Sequence, residues 1–357
     1  MKKGMLSRII ICACVALVVF ACGCGKKDGA GAKPGLFLSL PDKCNTPDGM
    51  TLDPSSGNII LACPNFNEPN WPGILMKIDP SNNVSQYFAM PIHPETKRGC
   101  PMGLDFGPDG NLYVADNQYF YDKDHKSRLI RVVIENGKPV RAEVAVDGFK
   151  LSNAVIWKGD SVYVSDTFFD LPDKPGASGI YRIKLSEMQK GTVQLKPNAT
   201  DPHLIATFTT APNARDEVAG ADGLTFDSKG NLYTGNFGDG AFSKITFDVD
   251  GNVLSNKILI KDSRLTCVDG IFCDLKTDEI YVTDSERNAI HIITPQGDFR
   301  TLWINDDSDG SDGLLDQPCE PLIRGNELII VNFDMPFPGL KNSAYDKHHT
   351  LSVIKLK

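Results

Sequence analysis

Six positions in this chain place reactive or ligating side chains inside copies of one short pattern. Asp48, Met102, Asn153, Asp222, Asp269 and Glu320 each open an apolar run, and successive members lie 54, 51, 69, 47 and 51 residues apart. The copies read TPDGMTLDPSSGNIILAC from Thr46, CPMGLDFGPDGNLYVAD from Cys100 and SNAVIWKGDSVYVSD from Ser152. They continue as ADGLTFDSKGNLYTGN from Ala221, VDGIFCDLKTDEIYVTD from Val268 and CEPLIRGNELIIVN from Cys319. A single Asp-Gly is ordinary turn chemistry. A repeating column of four carboxylates, an amide and a thioether is different. If the fold brings them onto one axis, the carboxylates repel one another and titrate upward unless something neutralises them. A hard cation with oxygen ligands does so, and Ca²⁺ tolerates such a mixed, irregular set. The column holds no His or Cys, which argues against Zn²⁺ or Cu²⁺ there.

The elements that must position this column are also legible. Each copy is an apolar run, a turn and a second apolar run, and strand-turn-strand units at this period signal a β-propeller. Third strands follow as GILMKID, RLIRVVI, GIYRIKL, AFSKITF, AIHIITP and TLSVIKLK, the last ending the chain. That leaves the sixth blade without an outer strand and GLFLSL, residues 35–40, without a partner. Pairing the two closes the ring and removes exposed edges. Residues 35–357 are therefore expected to form one all-β, six-bladed propeller of four-stranded blades, since no blade can bury its own faces alone. First strands line a propeller's channel, so the column becomes a ring. A second column, Cys63, Asp116, Asp166, Asn236, Asp284 and Asn332, closes the second strands. It forms either an outer shell around the same mouth or strand-terminating turns. The stretch TTAPNARDEVAG, in the longest interval, is placed to overhang that mouth.

The N-terminus reads as a targeting segment. Lys2, Lys3 and Arg8 precede the apolar run IIICACVALVVF, too short to span a bilayer comfortably but suited to a signal sequence. It runs into VFACGCG, which resembles a bacterial lipobox, with Cys22 the expected lipidated residue and Cys24 the alternative. Residues 1–22 are then a lipoprotein-type signal and residues 23–34 a flexible tether. The protein is expected in the bacterial cell envelope, anchored to membrane by lipid. Six cysteines remain beyond that segment: Cys44, Cys63, Cys100, Cys267, Cys273 and Cys319. Cys44, Cys100, Cys267 and Cys319 lie close to the ring column, and pairs such as Cys44–Cys100 and Cys267–Cys319 are candidate disulfides. No CxxC or CxxCH occurs, so neither a zinc knuckle nor covalent haem is signalled. The six histidines share no repeat position and are taken as surface or loop residues. The net charge of −8 argues against a nucleic-acid partner.

With these motifs in hand, the mature chain resembles the regucalcin and gluconolactonase (senescence marker protein-like) family of six-bladed propellers. Paraoxonase, diisopropyl fluorophosphatase and strictosidine synthase-like propellers are more distant likenesses. The resemblance implies a divalent cation, commonly Ca²⁺, held by first-strand residues of blades one, three, four and five, which here are Asp48, Asn153, Asp222 and Asp269. Blade two supplies no ligand in that scheme and carries Met102. Asp48 stands where regucalcin-like proteins carry Glu, and Asp222 where they carry Asn. Glu320 takes the place of a fluorophosphatase histidine and Met102 that of a paraoxonase histidine, which removes a His-based mechanism. The resemblance implies a metal-dependent hydrolase acting on a small-molecule lactone or related ester; the chain is expected to be a monomer. Asp269 is the first choice of base, Asp222 the second, and Glu320 a further ligand, base or neutral acid. The competing class is a non-enzymatic propeller, a binding or assembly platform with a structural metal or none.

Overall fold

A computed structural model describes residues 33–356 except Pro69, Pro172, Asp173 and Asn198. The signal segment, its candidate lipidation residue Cys22 and nearly all of the tether lie outside the described residues. Six antiparallel sheets follow one another along the chain. Their inner strands are Met50–Leu52, Pro101–Phe106, Ser152–Lys158, Ala221–Phe226, Val268–Asp274 and Pro318–Arg324. Second strands are Ile59–Cys63, Leu112–Asp116, Ser161–Leu171, Leu232–Asn236, Glu279–Asp284 and Glu327–Asn332. Five third strands pack outside them, and in blade six the third place is taken by Thr350–Lys355. Gly35–Ser39 pairs antiparallel with this last strand, so the two chain ends close the ring as expected.

Second strands such as IILAC and LYVAD are buried along their whole length. Each is covered on both faces by neighbouring blades, so it needs a continuous apolar run rather than an alternating one. Outer strands such as Val253–Ile260 are largely exposed, alternating only over residues 253–256, because one face meets solvent. Blade two departs from four strands: Val193–Gln194 adds a fifth, parallel to its outer strand at Val146 and Asp147. It belongs to the excursion that makes the Asn153–Asp222 interval long. The other part of that interval is the hairpin of Ser161–Leu171 and Lys174–Lys184, which runs well past its blade.

The inner strands touch through glycine. A Cβ built on Gly49 would lie 2.6 Å from the Met102 carbonyl oxygen, one on Gly103 2.5 Å from that of Asn153, and one on Gly223 2.4 Å from that of Asp269. On Gly270 it would lie 2.3 Å from the Cys319 carbonyl oxygen. Each of these glycines follows a ring residue. The glycine of the Asp-Gly pair is therefore needed for close approach of adjacent blades, and the preceding side chain is what faces the channel.

The second column is a set of staples. Asp116 Oδ1 accepts the Cys100 amide at 2.8 Å, and Asp166 accepts those of Lys150 and Leu151 at 3.1 and 2.6 Å. Asp284 accepts Thr266 N–H and Asn332 accepts Asp316 N–H. In these blades the terminal polar residue of a second strand holds the segment leading into its own inner strand, whereas Asn236 in blade four accepts Gly238 and Asp239 N–H from the turn that follows it. The column is not an outer shell of the channel. Blade one makes the same tie covalently, since Cys63 is disulfide-bonded to Cys44 with Cα atoms 5.5 Å apart. This corrects the expected pairs Cys44–Cys100 and Cys267–Cys319. Cys100, Cys267 and Cys319 are buried free thiols, as is Cys273. Blade two uses Asp116 where blade one uses Cys63, so Cys100 meets a carboxylate and not a thiol. Burial pushes Cys100, Cys267 and Cys319 up, which keeps them protonated and unreactive.

Gly223→Ala is expected to destabilise the fold by about 1–3 kcal/mol in a denaturant titration, as an overpacking change at an unyielding backbone contact. Gly35→Ala, with open space around its Cβ, is expected to stay within about 0.5 kcal/mol of the parent.

Candidate metal centre and the cavity above it

The ring forms. Asp48, Asn153, Asp222 and Asp269 all line one cavity of about 240 Å³ at one mouth of the channel, and Met102 lines it with them. Asn153 Nδ2 donates to Asp222 Oδ1 at 2.7 Å across the boundary of blades three and four. With its amide nitrogen so engaged, Asn153 keeps its carbonyl oxygen as the atom able to face a cation. The Ser285 hydroxyl lies 2.9 Å from Asp269 Oδ2 and 2.6 Å from the Pro318 carbonyl oxygen. Ser285 follows Asp284, the staple residue of blade five.

Electrostatics within the ring are dominated by burial and like charge. Burial raises Asp48 well above the usual carboxylate range, and Asp269 adds to it against the opposing Gly49 N–H. Burial raises Asp222 likewise, with Asp269, Asp48 and Glu320 all adding, while Asn153 opposes. Asp269 is pushed up to about 7 by burial, with the Ser285 hydroxyl and Gly270 N–H opposing. Such a set cannot be fully ionised near neutrality without a counter-charge. The donor set, three carboxylates and an amide oxygen with no sulfur or imidazole, fits a hard divalent cation.

Glu320 is placed differently from its three acidic companions. It lines a separate cavity, of about 560 Å³, at the opposite mouth, and its Oε2 sits where a side chain on Gly270 would be. It thus lies behind the ring, where it adds to the rise of Asp222. Burial, then Asp48 and Asp269, raise Glu320 well above the usual carboxylate range, so of the roles expected for it, ligand, base or neutral acid, its surroundings favour the neutral acid. Gly270 makes the placement possible: with no side chain there, the longer Glu320 arm folds along the inner strand of blade five.

The walls of the upper cavity are aromatic, and sequence reasoning missed them. Tyr119, Phe120, Phe168, Phe237, Phe333 and Phe337 line it above the acidic floor. Tyr119 and Phe168 stack with ring centroids 4.3 Å apart, and Phe333 stacks on Phe337 at 6.4 Å. A signal existed: an aromatic residue follows the staple position within three residues in blades one to four and six, as Phe66, Tyr119, Phe168, Phe237 and Phe333. Blade five has Ser285 there, and that is the residue reaching Asp269. The overhanging stretch near residues 209–220 contributes Glu217 and Ala219 to the same cavity. Arg215 anchors it through Glu286 at 3.0 Å and the Phe237 carbonyl at 2.6 Å. Of the histidines, expected at the surface or in loops, His93 and His349 lie in loops but are buried, and His291 is buried within the strand Ala289–Ile293.

No family-level sequence description matches the chain, and no curated protein sequence does. Solved structures do. A gluconolactonase from Xanthomonas campestris superposes with a TM-score of 0.59 at 10% identity, covering 92% of this chain and 97% of the other. Regucalcin from Agrobacterium tumefaciens, a calcium-binding protein, does so at 0.56 and 14%, covering 91% and 94%. A pyrroloquinoline-quinone-bound aldose sugar dehydrogenase from Streptomyces coelicolor gives 0.56 at 12%, covering 92% and 99%. At these identities the likeness establishes the class, a six-bladed β-propeller, and the three different chemistries show that the fold alone does not name an activity.

The pH dependence of stability follows from the raised acids. Unfolded aspartates ionise near pH 4, whereas folded Asp269 ionises only near 7. Between those values the folded state binds more protons, so stability falls as pH rises through the window. In chelator, melting temperature is expected to drop from pH 5 to pH 8. Asp222→Asn is expected to flatten that slope and raise the pH 8 melting temperature by several degrees, because one buried like charge is gone.

Proposed function

We propose that this chain is a divalent-cation-dependent hydrolase of a lactone or related ester. The carrying observation is one cavity whose floor is Asp48, Asn153, Asp222 and Asp269 and whose walls are aromatic. An ion needed only to brace the fold would require no such cavity. The similarity to a gluconolactonase and to a calcium-binding regucalcin supports the reading. Asp48, Asn153, Asp222 and Asp269 are the residues to hold the cation, with Ca²⁺ favoured by the all-oxygen donor set. When bound, such a cation polarises a carbonyl oxygen and stabilises the negative charge that develops on it.

The chain's own side chains supply the rest. Asp269, held at Oδ2 by Ser285, is the group to accept a proton from the attacking water, and Asp222 is the second carboxylate within the same floor. The aromatic walls exclude water from the acids and present flat apolar faces to the body of the substrate. Phe168, Phe237 and Phe333 come from three different blades, so the substrate is gripped from several sides of the channel. We further place the protein in the bacterial cell envelope, lipid-anchored through Cys22.

Metal analysis of the purified protein, then lactone and aryl-ester assays with and without chelator, tests the reading. Turnover is expected to vanish in chelator and return on adding Ca²⁺. Asp269→Asn is expected to lower kcat/KM by about 10²–10⁴-fold, the range of a lost general base. Absence of bound divalent metal together with unchanged behaviour in Asp222→Ala and Asp269→Ala would remove the hydrolase. Metal without turnover on any ester would instead favour a binding platform. In cell fractionation, Cys22→Ser is expected to move the protein from membrane to soluble envelope contents.

A further inference from the structure

Blade six carries a second group of acids that the channel chemistry does not use. Asp316 precedes the inner strand Pro318–Arg324, Asp334 follows the second strand Glu327–Asn332, and Asp346 lies in the loop leading to Thr350–Lys355. One carboxylate oxygen from each lies within 4.8 Å of those of the other two. Asp316 is 2% exposed and Asp334 1%.

Crowded acids alone are common, but two further features point to something between them. Asp316 Oδ1 is buried and has no hydrogen-bond partner, which is costly for a carboxylate oxygen. His349, 5% exposed, makes no hydrogen bond through either ring nitrogen, although its Nδ1 lies 3.2 Å from Asp334 Oδ2. Two donor atoms on adjacent vertices of a coordination shell stand about that far apart, given metal–ligand distances of roughly 2.3 Å. Asp334 itself is held in place by Asn342 Nδ2 at 3.1 Å and by Asp346 N–H at 3.0 Å.

The charge balance agrees. Burial first, then Asp334, Asp346, Asp307 and Asp309, push Asp316 up to about 9. Burial and the same neighbours raise Asp346, with His349 the opposing group. Lys341, on the same side, is committed to Asp306 and to the Asn305 carbonyl.

We infer that Asp316, Asp334 and Asp346 form a second site for a hard divalent cation, distinct from the channel ring, with His349 the imidazole adjoining Asp334. The three ligands come from three separate segments of blade six, so a cation there ties them together. Their neighbours line the catalytic mouth: Gln317 follows Asp316, Phe333 precedes Asp334, and both face the aromatic cavity. Gln317 accepts Phe333 N–H through its carbonyl at 2.9 Å and Met335 N–H through Oε1 at 2.6 Å. The site is thus built to fix one wall of the mouth, and it stands whether or not the protein is a hydrolase.

Equilibrium dialysis of the purified protein against Ca²⁺, with Mn²⁺ as a second probe, tests this. Two cation equivalents are expected for the parent. Asp316→Asn should lose one of them. Asp346→Asn, a change at a half-buried position that the fold will tolerate, should lose it or weaken it at least tenfold. The Asp48→Asn, Asp222→Asn double variant should lose the other equivalent and keep this one. Cation should slow proteolysis within residues 334–349 in that double variant but not in Asp346→Asn. Unchanged stoichiometry and affinity in Asp346→Asn with both metals would overturn the inference. So would a cation-independent rise in the melting temperature of Asp316→Asn, which would mean that the buried acid is simply protonated.

Discussion

Like charges held together on a closed axis are the constraint around which this molecule is organised. Ring closure by Gly35–Ser39 sets the diameter of the channel, and the glycine contacts between inner strands hold that diameter small. Asp48, Asp222 and Asp269 then have nowhere to go but toward each other. Glu320 adds to the pressure on Asp222 from behind. The repulsion is answered partly by donors the fold supplies: the Asn153 amide, the Ser285 hydroxyl and the N–H groups of Gly49 and Gly270. What remains is a negative well at the bottom of an apolar cup, where a charge-neutralising cation or a set of bound protons must settle the difference.

The surrounding architecture serves to hold that well open on one side. Five blades tie the incoming segment to the end of the second strand, by carboxylate or amide in blades two, three, five and six and by a disulfide in blade one. These ties fix where the next residues emerge at the mouth, and those residues are aromatic in five of six blades. Position along the strand thus sorts the roles: the inner column supplies charge, the staple column supplies rigidity, and the residues just beyond it supply the apolar wall. Blade five exchanges its aromatic for Ser285, which is how Asp269 alone among the ring acids gains a hydroxyl partner.

Blade six repeats the theme of crowded acids outside the channel. Asp316 stands where the staple Asn332 meets the incoming segment, so its acidic neighbours act on a piece of backbone that also positions Gln317. The two groups share one wall of the mouth, since Gln317 and Phe333, beside Asp316 and Asp334 in the chain, line the channel cavity.

Much of this was written in the chain itself. The period of the repeat, the apolar second strands and the unpartnered GLFLSL stretch determined a six-bladed ring closed by the two termini, because no blade can bury its faces alone. The same period determined that Asp48, Asn153, Asp222 and Asp269 would face one axis, since equivalent positions in a closed repeat must converge. Contacts between residues distant in sequence were decided only by the tertiary structure. Glu320 shares the column of Asp269 yet turns to the other mouth, because Gly270 in the neighbouring blade leaves room for its longer arm. Cys44 pairs with Cys63, not Cys100, because the staple geometry brings strand end and incoming segment of one blade together. Asp316, Asp334 and Asp346 fall at no common repeat position. Only the folding of three loops of blade six onto one another makes them neighbours.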